Sequence, residues 1–277
     1  FVGGAMAVAE ACRNVACTGA TPLAITDCLN FGSPENPDVY FQLEQCIRGM
    51  TAACDALNVP VISGNVSLYN ETRGTAIYPT PVIGAVGLLD ESAKCITAGF
   101  KSSGDIVLLL GTTSVAADQQ ILAGSEYLAH IYDIVAGHPR IDLEFEAKVQ
   151  SKLLSLIGKG LIRSAHDCSD GGLLTAIAES CITGQFGFEA SFEPPERWDA
   201  ALFGEQQSRI VISINPKNLV TLEKICATEN VPWMQLGKVS GEGIIVPGLI
   251  NISLTQASNV WNNGIHDAIH TNTPESP

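Results

Sequence analysis

The chain has 277 residues, of which 46% are hydrophobic and 16% are charged. That composition provides for one large domain or two smaller ones, and it argues against a disordered chain. The formal net charge is −14, which argues against nucleic acid as a partner because an acidic surface repels phosphate backbones.

The first region alternates helical and strand-like patterns. A helix is expected over residues 5–15, a strand over 22–26 that ends at Asp27, and a second helix with Asp38 as its N-cap. Residues 59–62 are expected to form a buried strand, and residues 81–89 another strand. The apolar face expected for the second helix comprises Tyr40, Leu43, Ile47, Met50, Cys54 and Leu57.

Residues 63–72 change from apolar to polar just after the strand expected over 59–62. Gly64 permits close approach of a ligand to the backbone, and Asn65, Ser67, Asn70 and Glu71 supply oxygen atoms. Such oxygens suit Mg²⁺ or a phosphate that it carries. A polar turn that caps the strand is the alternative. Asp27 follows a neighbouring strand, and two polar strand ends in one small region favour a ligand site.

A polar linker is expected over residues 90–104, and a second unit begins with a buried strand over 106–110. Residues 142–157 are expected to be helical. Residues 166–172 precede a helix expected over 173–181, whose N-terminus could bind an anion. Because Asp167 and Asp170 would repel an anion without a metal, capping by Ser169 or Asp170 is the favoured interpretation.

Nine cysteines are present, an odd number, and no two are spaced as Cys-x-x-Cys. This pattern favours neither a disulfide framework nor a zinc site. We expect buried thiols in a reducing cytosol, and hence a cytoplasmic protein. No apolar run is long enough to span a membrane, so no membrane partner is expected.

The run Gly-Asn-Val-Ser-Leu-Tyr-Asn-Glu-Thr, which begins at Gly64, resembles a signature of the phosphoribosylformylglycinamidine synthase family. Most of the chain is similar to the second half of the synthetase subunit. Shorter elements are shared with the wider aminoimidazole ribonucleotide synthetase-like superfamily. The stretches that carry the resemblance are 14–23, 26–32, 63–72, 166–172 and 202–205.

The resemblance implies a two-domain half of the aminoimidazole ribonucleotide synthetase-like fold. Residues 1–98 would form an N-terminal, barrel-forming α+β domain, incomplete at its start because the chain opens at Phe1. Residues 105–270 would form a C-terminal α/β domain, and residues 271–277 a disordered tail. The family's other half, which carries its catalytic histidines, would be a separate partner, so no catalytic residue is assigned here.

The resemblance also implies an ATP-dependent ligase of purine biosynthesis. Formylglycinamide ribonucleotide becomes formylglycinamidine ribonucleotide through an iminophosphate, with ammonia that a glutaminase subunit or domain releases from glutamine. Asp27 and Gly64 would contact ATP, Asn65 would bind Mg²⁺, and Ser67 would contact the ribonucleotide. By internal pseudo-symmetry, Asp167 and residues 205–207 would line an auxiliary nucleotide pocket that is vestigial or structural.

Two alternatives stay open: a non-catalytic nucleotide-binding or scaffold module, and another ATP-dependent synthetase or kinase of the superfamily. Under the leading interpretation the isolated chain is inactive, because its residues complete a composite active site. It would also expose the apolar surface that normally faces the other half, and such a surface favours self-association. We therefore expect a homodimer of the isolated chain.

Overall fold

A computed structural model describes residues 1–90, 95–115 and 119–271. The N-terminal unit has two long helices and one main sheet, with strands in the order β2–β1–β5. Strand β1 runs parallel to β2 and antiparallel to β5, while β3 and β4 form a small hairpin. The elements are α1 (Val2–Cys17), β1 (Thr21–Asn30), α2 (Pro37–Leu57), β2 (Val61–Ser67), β3 (Glu71–Thr72), β4 (Thr75–Ala76) and β5 (Thr80–Leu88).

The C-terminal unit is a seven-stranded sheet in the order β12–β11–β8–β10–β6–β9–β7. Its neighbouring strands are antiparallel except for the parallel pair β8 and β11. The elements are β6 (Ile106–Leu110), α3 (Glu126–Tyr132), α4 (Leu143–Gly158), β7 (Ile162–Asp167), α5 (Gly172–Gly184), β8 (Phe188–Ala190), α6 (Trp198–Phe203), β9 (Ile210–Ile214), α7 (Leu219–Glu229), β10 (Trp233–Val239), β11 (Gly243–Val246), β12 (Ile250–Ser253) and α8 (Leu254–Thr271).

Both faces of the C-terminal sheet are buried at its central strands β6 and β9. Along β6, Ile106, Leu108 and Leu110 join a core formed with α4 and α7, whereas Val107 and Leu109 join a second core formed with α5. Because successive side chains of a strand point to opposite faces, a continuous apolar run is what a doubly covered strand requires.

The N-terminal sheet is covered on one face only. Side chains of α1, α2 and β1 form a third core on that face. Along β5, exposed and half-buried residues alternate over the whole strand. Helix α1 joins the units, because Val8 and Cys12 contact the N-terminal core while Ala16 and Cys17 contact the core beneath α4.

The predicted fold class is confirmed, and most predicted elements are present, but the first strand was placed wrongly at its end. Asp27 does not end the strand, because β1 continues to Asn30. Residues 63–67 do not follow the second strand, because they form most of β2. Nor is that strand buried: Val61 and Ile62 are exposed, since β2 lies at the edge of the sheet.

Helix α2 also departs from the prediction. Its N-cap is Asn36, whose side chain accepts a hydrogen bond from Asp38 N at 3.0 Å, and Pro37 occupies the first turn. The predicted apolar face is confirmed at Met50, which is buried, and at Leu43, Cys54 and Leu57, which pack against the core. It is wrong at Tyr40 and Ile47, which are exposed. The residues of α2 that are buried instead, together with Met50, are Val39, Cys46, Gly49 and Ala53.

The predicted linker is in part packed against the C-terminal unit. Thr97 forms a β-bridge with Ser164, and the buried Phe100 donates its N–H to Ser180 O at 3.0 Å. Residues 91–94 of that segment, and the predicted tail apart from Thr271 at the end of α8, lie outside the described residues. Within the part of the chain that is described, no helix has the length and apolar character to cross a membrane.

Candidate functional site

The parallel pairing of β1 with β2 brings the predicted site residues together. Asp27 is the register partner of Gly64, Cys28 of Asn65, and Asn30 of Ser67. The prediction that the two polar segments meet is therefore confirmed, although they meet within the sheet and not beyond its strand ends. The roles assigned to the four residues stay predictions.

Asp27, on the central strand β1, lies on the face of the sheet that α1 and α2 cover, and its register partner Gly64 lies beside it on the exposed edge strand β2. Burial follows this alternation on β1, where Ile25 and Leu29 are buried. A Cβ at position 64 would collide with the Asp27 carboxylate, which lies next to Gly64 on the same face of the sheet. A larger residue at this position would have to displace the Asp27 carboxylate, a structural reason for glycine that the sequence alone does not reveal.

Asn65 and Ser67 lie on the opposite, uncovered face. With Cys28 and Asn30 they form a band that we call the polar strip (Cys28, Asn30, Asn65 and Ser67). The amide nitrogen of Asn65 is 4.0 Å from Cys28 Sγ, and that of Asn30 is 3.6 Å from the same sulfur. Sequence reasoning missed Cys28 and Asn30, yet alternation along β1 combined with its parallel pairing would have placed them there.

Apolar side chains adjoin the polar strip on the same face. Val82 is the register partner of Cys28, and Val82, Val86 and Leu88 of β5 are each 54% exposed. We call these three residues the valine–leucine patch. A polar strip beside an apolar patch is typical of a surface that binds a ligand and a partner together.

The N-terminal and C-terminal units meet at a buried ionic group, the Arg13 cluster (Arg13, Glu146, Gln150, Asp167, Gln207 and Ser208). Arg13 Nη1 donates to Glu146 Oε1 at 2.9 Å, and Nη2 donates to Gln207 Oε1 at 3.3 Å. Arg13 Nε lies 3.6 Å from Asp167 Oδ2. Gln150 Nε2 also donates to Glu146 at 2.8 Å, and Ser208 Oγ donates to it at 2.5 Å. A guanidinium on α1 is thereby joined to α4 and to β7.

His166 extends this network towards α8. Its Nε2 lies 2.9 Å from Glu179 Oε2, and Trp261 Nε1 donates to Glu179 Oε1 at 3.4 Å. Burial opposes the charged imidazole, but hydrogen bonds to Asp167 and Glu179 outweigh it and raise the pKa of His166 to about 9. Burial likewise opposes ionisation of Asp167, but the His166 hydrogen bond and the Arg13 charge lower the pKa of that carboxyl.

Glu205 is held by backbone groups. Its Oε1 accepts hydrogen bonds from Gly171 N and Glu126 N, each at 2.8 Å, so one carboxylate serves the N-termini of α3 and α5. Burial raises its pKa. Capping of α5 by Ser169 or Asp170 was wrong: the N-cap is Gly171, at φ +74°, and it has no side-chain oxygen to offer.

Two family models match the chain. The model described as AIR synthase related protein, N-terminal domain, matches residues 1–89, and the one described as AIR synthase related protein, C-terminal domain, matches residues 102–248. The chain belongs to the AIR synthase related family. The superfamily resemblance seen in the sequence is thereby confirmed.

Within the AIR synthase related family, the chain is similar to PurL subunits. The chain is 45% identical over 264 residues to phosphoribosylformylglycinamidine synthase subunit PurL of Thermomicrobium roseum. The alignment covers 94% of this chain and 35% of that protein. The chain is 50% identical over 245 residues to the PurL subunit of a Synechococcus strain, covering 87% and 31%. The chain therefore spans about a third of the length of these relatives.

The fold of this family member also matches a solved structure. The structure of Thermotoga maritima PurL complexed with FGAR aligns with a TM-score of 0.71 at 18% identity, covering 93% of this chain and 43% of that one. At that identity the match establishes the fold alone.

Proposed function

We propose that this chain is the C-terminal half of a phosphoribosylformylglycinamidine synthase, the ATP-dependent ligase that converts formylglycinamide ribonucleotide to the amidine. The observation that carries the proposal is the 45% identity to a curated PurL subunit over 94% of the chain. The proposal includes ATP and Mg²⁺, a missing N-terminal half, a glutaminase that supplies ammonia, and a cytoplasmic location. We also propose the domain bounds 1–98 and 105–270.

The division of residues between two faces supports a composite site. The polar strip lies on the uncovered face, where a second sheet could enclose it. Within it, Asn65 and Ser67 would reach the ligands, whereas Asp27 lies beneath Gly64 on the helix side. The ATP contact proposed for Asp27 would therefore be made from the helix side of the sheet, next to Gly64.

The donor set of the polar strip suits a magnesium ion that arrives with phosphates. Asn65 directs its amide nitrogen at the Cys28 sulfur, which turns the amide oxygen away from the thiol. Asn65 and Ser67 offer uncharged oxygens, and Mg²⁺ in nucleotide sites takes much of its coordination from phosphates and water. When bound, Mg²⁺ neutralises the charge of the phosphates during transfer. Asn65 would hold the ion, and Ser67 would orient the ribonucleotide.

Complementation tests this function. The chain is assembled with the N-terminal half of a homologous synthase and supplied with ATP, Mg²⁺, formylglycinamide ribonucleotide and ammonia. We expect phosphate release and amidine formation from the pair, and neither from the chain alone. An assembled pair without turnover would overturn the proposal.

The variant Asn65→Ala distinguishes the ligase from a non-catalytic nucleotide-binding scaffold. If Asn65 holds the ion, kcat of the assembled pair falls by about 100-fold, because charge stabilisation of that size is lost. If the chain is a scaffold, assembly and activity are both retained. Asn251→Ala is the matched control, since Asn251 is exposed on β12 of the other sheet and should leave kcat unchanged.

A further inference from the structure

Asn70 lies where the chain turns back after β2, next to the polar strip. The turn is made at Tyr69, which has φ +60°, in the left-handed region that side-chain-bearing residues seldom adopt. This conformation points the Asn70 side chain back at the last residue of β2, Ser67. The proposed substrate-binding hydroxyl therefore has a neighbour whose position depends on an unusual backbone turn.

The Asn70 carboxamide makes close contacts on three sides. Its Nδ2 lies 2.9 Å from Ser67 O, 3.1 Å from Phe31 O and 3.1 Å from Ser67 Oγ. Its Oδ1 lies 3.3 Å from Ser67 Oγ. The backbone N–H of Asn70 also donates to Phe31 O at 3.1 Å. The side chain thus joins the ends of β1 and β2.

The two carbonyl partners decide which way the Asn70 carboxamide faces. Carbonyl oxygens only accept, so Ser67 O and Phe31 O must face the amide nitrogen. Rotating the amide by 180° would set Oδ1 against two carbonyl oxygens, which is repulsive. Oδ1 is the one acceptor that the carboxamide offers, so the Ser67 hydroxyl donates to it at 3.3 Å. Nδ2 lies 3.1 Å from the same Oγ and faces one of its lone pairs, which leaves the other lone pair available to a ligand.

We propose that Asn70 is a positioning residue for the ribonucleotide: it holds the Ser67 hydroxyl as a donor to Oδ1, so that Ser67 meets the substrate as a hydrogen-bond acceptor. This inference rests on the proposed function. Its ligand partner is an N–H or O–H group of formylglycinamide ribonucleotide. Asn70 itself acts through Ser67 and does not need to touch the substrate.

A double-mutant cycle in the assembled pair tests the inference, using Asn70→Ala, Ser67→Ala and both together. Each single variant should raise KM for formylglycinamide ribonucleotide about five- to tenfold, the effect of one lost hydrogen bond. KM for ATP should stay within about twofold, because the nucleotide contacts are kept. The double variant should be no worse than either single variant, since both remove the same interaction.

Two further variants protect the test against a folding defect. Asn70→Ser keeps a short donor near the backbone carbonyls but cannot span to Ser67 Oγ, so it should fold and still raise KM for the ribonucleotide. Asn218→Ala is the matched control: its amide donates to Leu161 O at 3.2 Å, far from the polar strip. It should lower the melting temperature slightly and leave both KM values unchanged.

Several results would overturn the inference while leaving the proposed function intact. These are an unchanged ribonucleotide KM in both Asn70 variants, equal rises in both KM values, or multiplying effects in the double variant. If the unsubstituted pair has no turnover, the proposed function fails first and the role of Asn70 fails with it.

Discussion

The polar strip and the Arg13 cluster both contain amide and hydroxyl side chains, and the Arg13 cluster adds charged groups, but the two regions use their polar groups in different ways. In the Arg13 cluster most polar groups have a partner within the chain, and Glu146 accepts hydrogen bonds from Arg13, Gln150 and Ser208. Arg13 Nε and Asp167 Oδ2 make an ion pair at 3.6 Å without a hydrogen bond. In the polar strip, the Asn65 side chain has one hydrogen bond among the described residues, to the thiol of Cys28. One region is closed by its own contacts, and the other is open on the uncovered face of a sheet.

This difference shows why a polar motif is not by itself a site. By pseudo-symmetry the sequence predicts that Asp167 and residues 205–207 line an auxiliary pocket that is vestigial or structural. In the structure Asp167 faces Arg13 and His166, and Glu205 accepts hydrogen bonds from two backbone N–H groups. Their polar groups hold the fold together. In the polar strip, Asn30 donates to Cys28 O and Ser67 is hydrogen-bonded to Asn70. Among the described residues the Asn65 carboxamide has only the hydrogen bond to the thiol, so its oxygen stays open to a ligand.

Removing the cation of the closed region should have the largest effect on stability. Arg13→Ala leaves the buried carboxylates of Glu146 and Asp167 without their guanidinium. Loss of one partner from a buried ion pair costs about 3–5 kcal/mol in the free energy of unfolding. Chemical denaturation of the chain measures this change, and a loss below about 1 kcal/mol would show that the cluster is not closed in the sense described.

The matched control is an exposed ion pair on a single helix. Arg48 Nη2 lies 2.8 Å from Glu44 Oε1, with Arg48 63% exposed. Arg48→Ala should cost only about 0.3–0.5 kcal/mol, because solvent screens the pair. The ratio of the two costs measures how far the Arg13 cluster is removed from water.

His166 gives the closed region a dependence on pH. Its pKa of about 9 in the folded chain is above the ordinary value of 6.5, so the folded state binds the proton more tightly. The resulting stability is fully present below pH 6.5 and is lost as the pH rises through 9. Relative to His166→Gln, the unsubstituted chain should lose about 1–3 kcal/mol of unfolding free energy over that range.

The comparison is made as a difference between two proteins because buried thiols also titrate at high pH. Burial raises the pKa of Cys168 to about 11 and that of Cys12 to about 12, and both contributions cancel in the difference. His130→Gln, at an exposed position on α3, should give a curve parallel to that of the unsubstituted chain. Parallel curves for His166→Gln would refute the role of the histidine.

The sequence predicted the elements well where one pattern decides them. The buried strand at 106–110 and the helix near 142–157 follow from their hydrophobic patterns. The structure adds that Asp142 caps this helix, because its side chain accepts a hydrogen bond from Phe145 N at 3.0 Å. The predicted burial of β2 was wrong, because an edge strand with exposed valine and isoleucine has the same composition as a buried strand. Exposure depends on whether another sheet covers the strand.

The candidate site was predicted in its residues but not in its geometry. Polar composition singled out Asn65 and Ser67, and parallel pairing brought Asp27 beside Gly64. The division between two faces needed the strand bounds, which were wrong by several residues at Asp27. The role of Arg13 was invisible, since its partners are 133 and 194 residues away in the chain.

Substitutions in the valine–leucine patch should have the smallest effect on stability. They also test whether the open region is a surface for a protein partner. Val82→Thr with Val86→Thr keeps the β-branched shape and removes apolar surface from an exposed face. The free energy of unfolding should change by less than about 0.5 kcal/mol, as at ordinary surface positions.

If the patch is the surface through which isolated chains associate, light scattering at high concentration should show fewer dimers. Val220→Thr, at a 60% exposed position on α7, should leave the dimer fraction unchanged. A strictly monomeric unsubstituted chain would mean that exposure of this face is tolerated, and the open region would then be defined by its ligands and not by a protein partner.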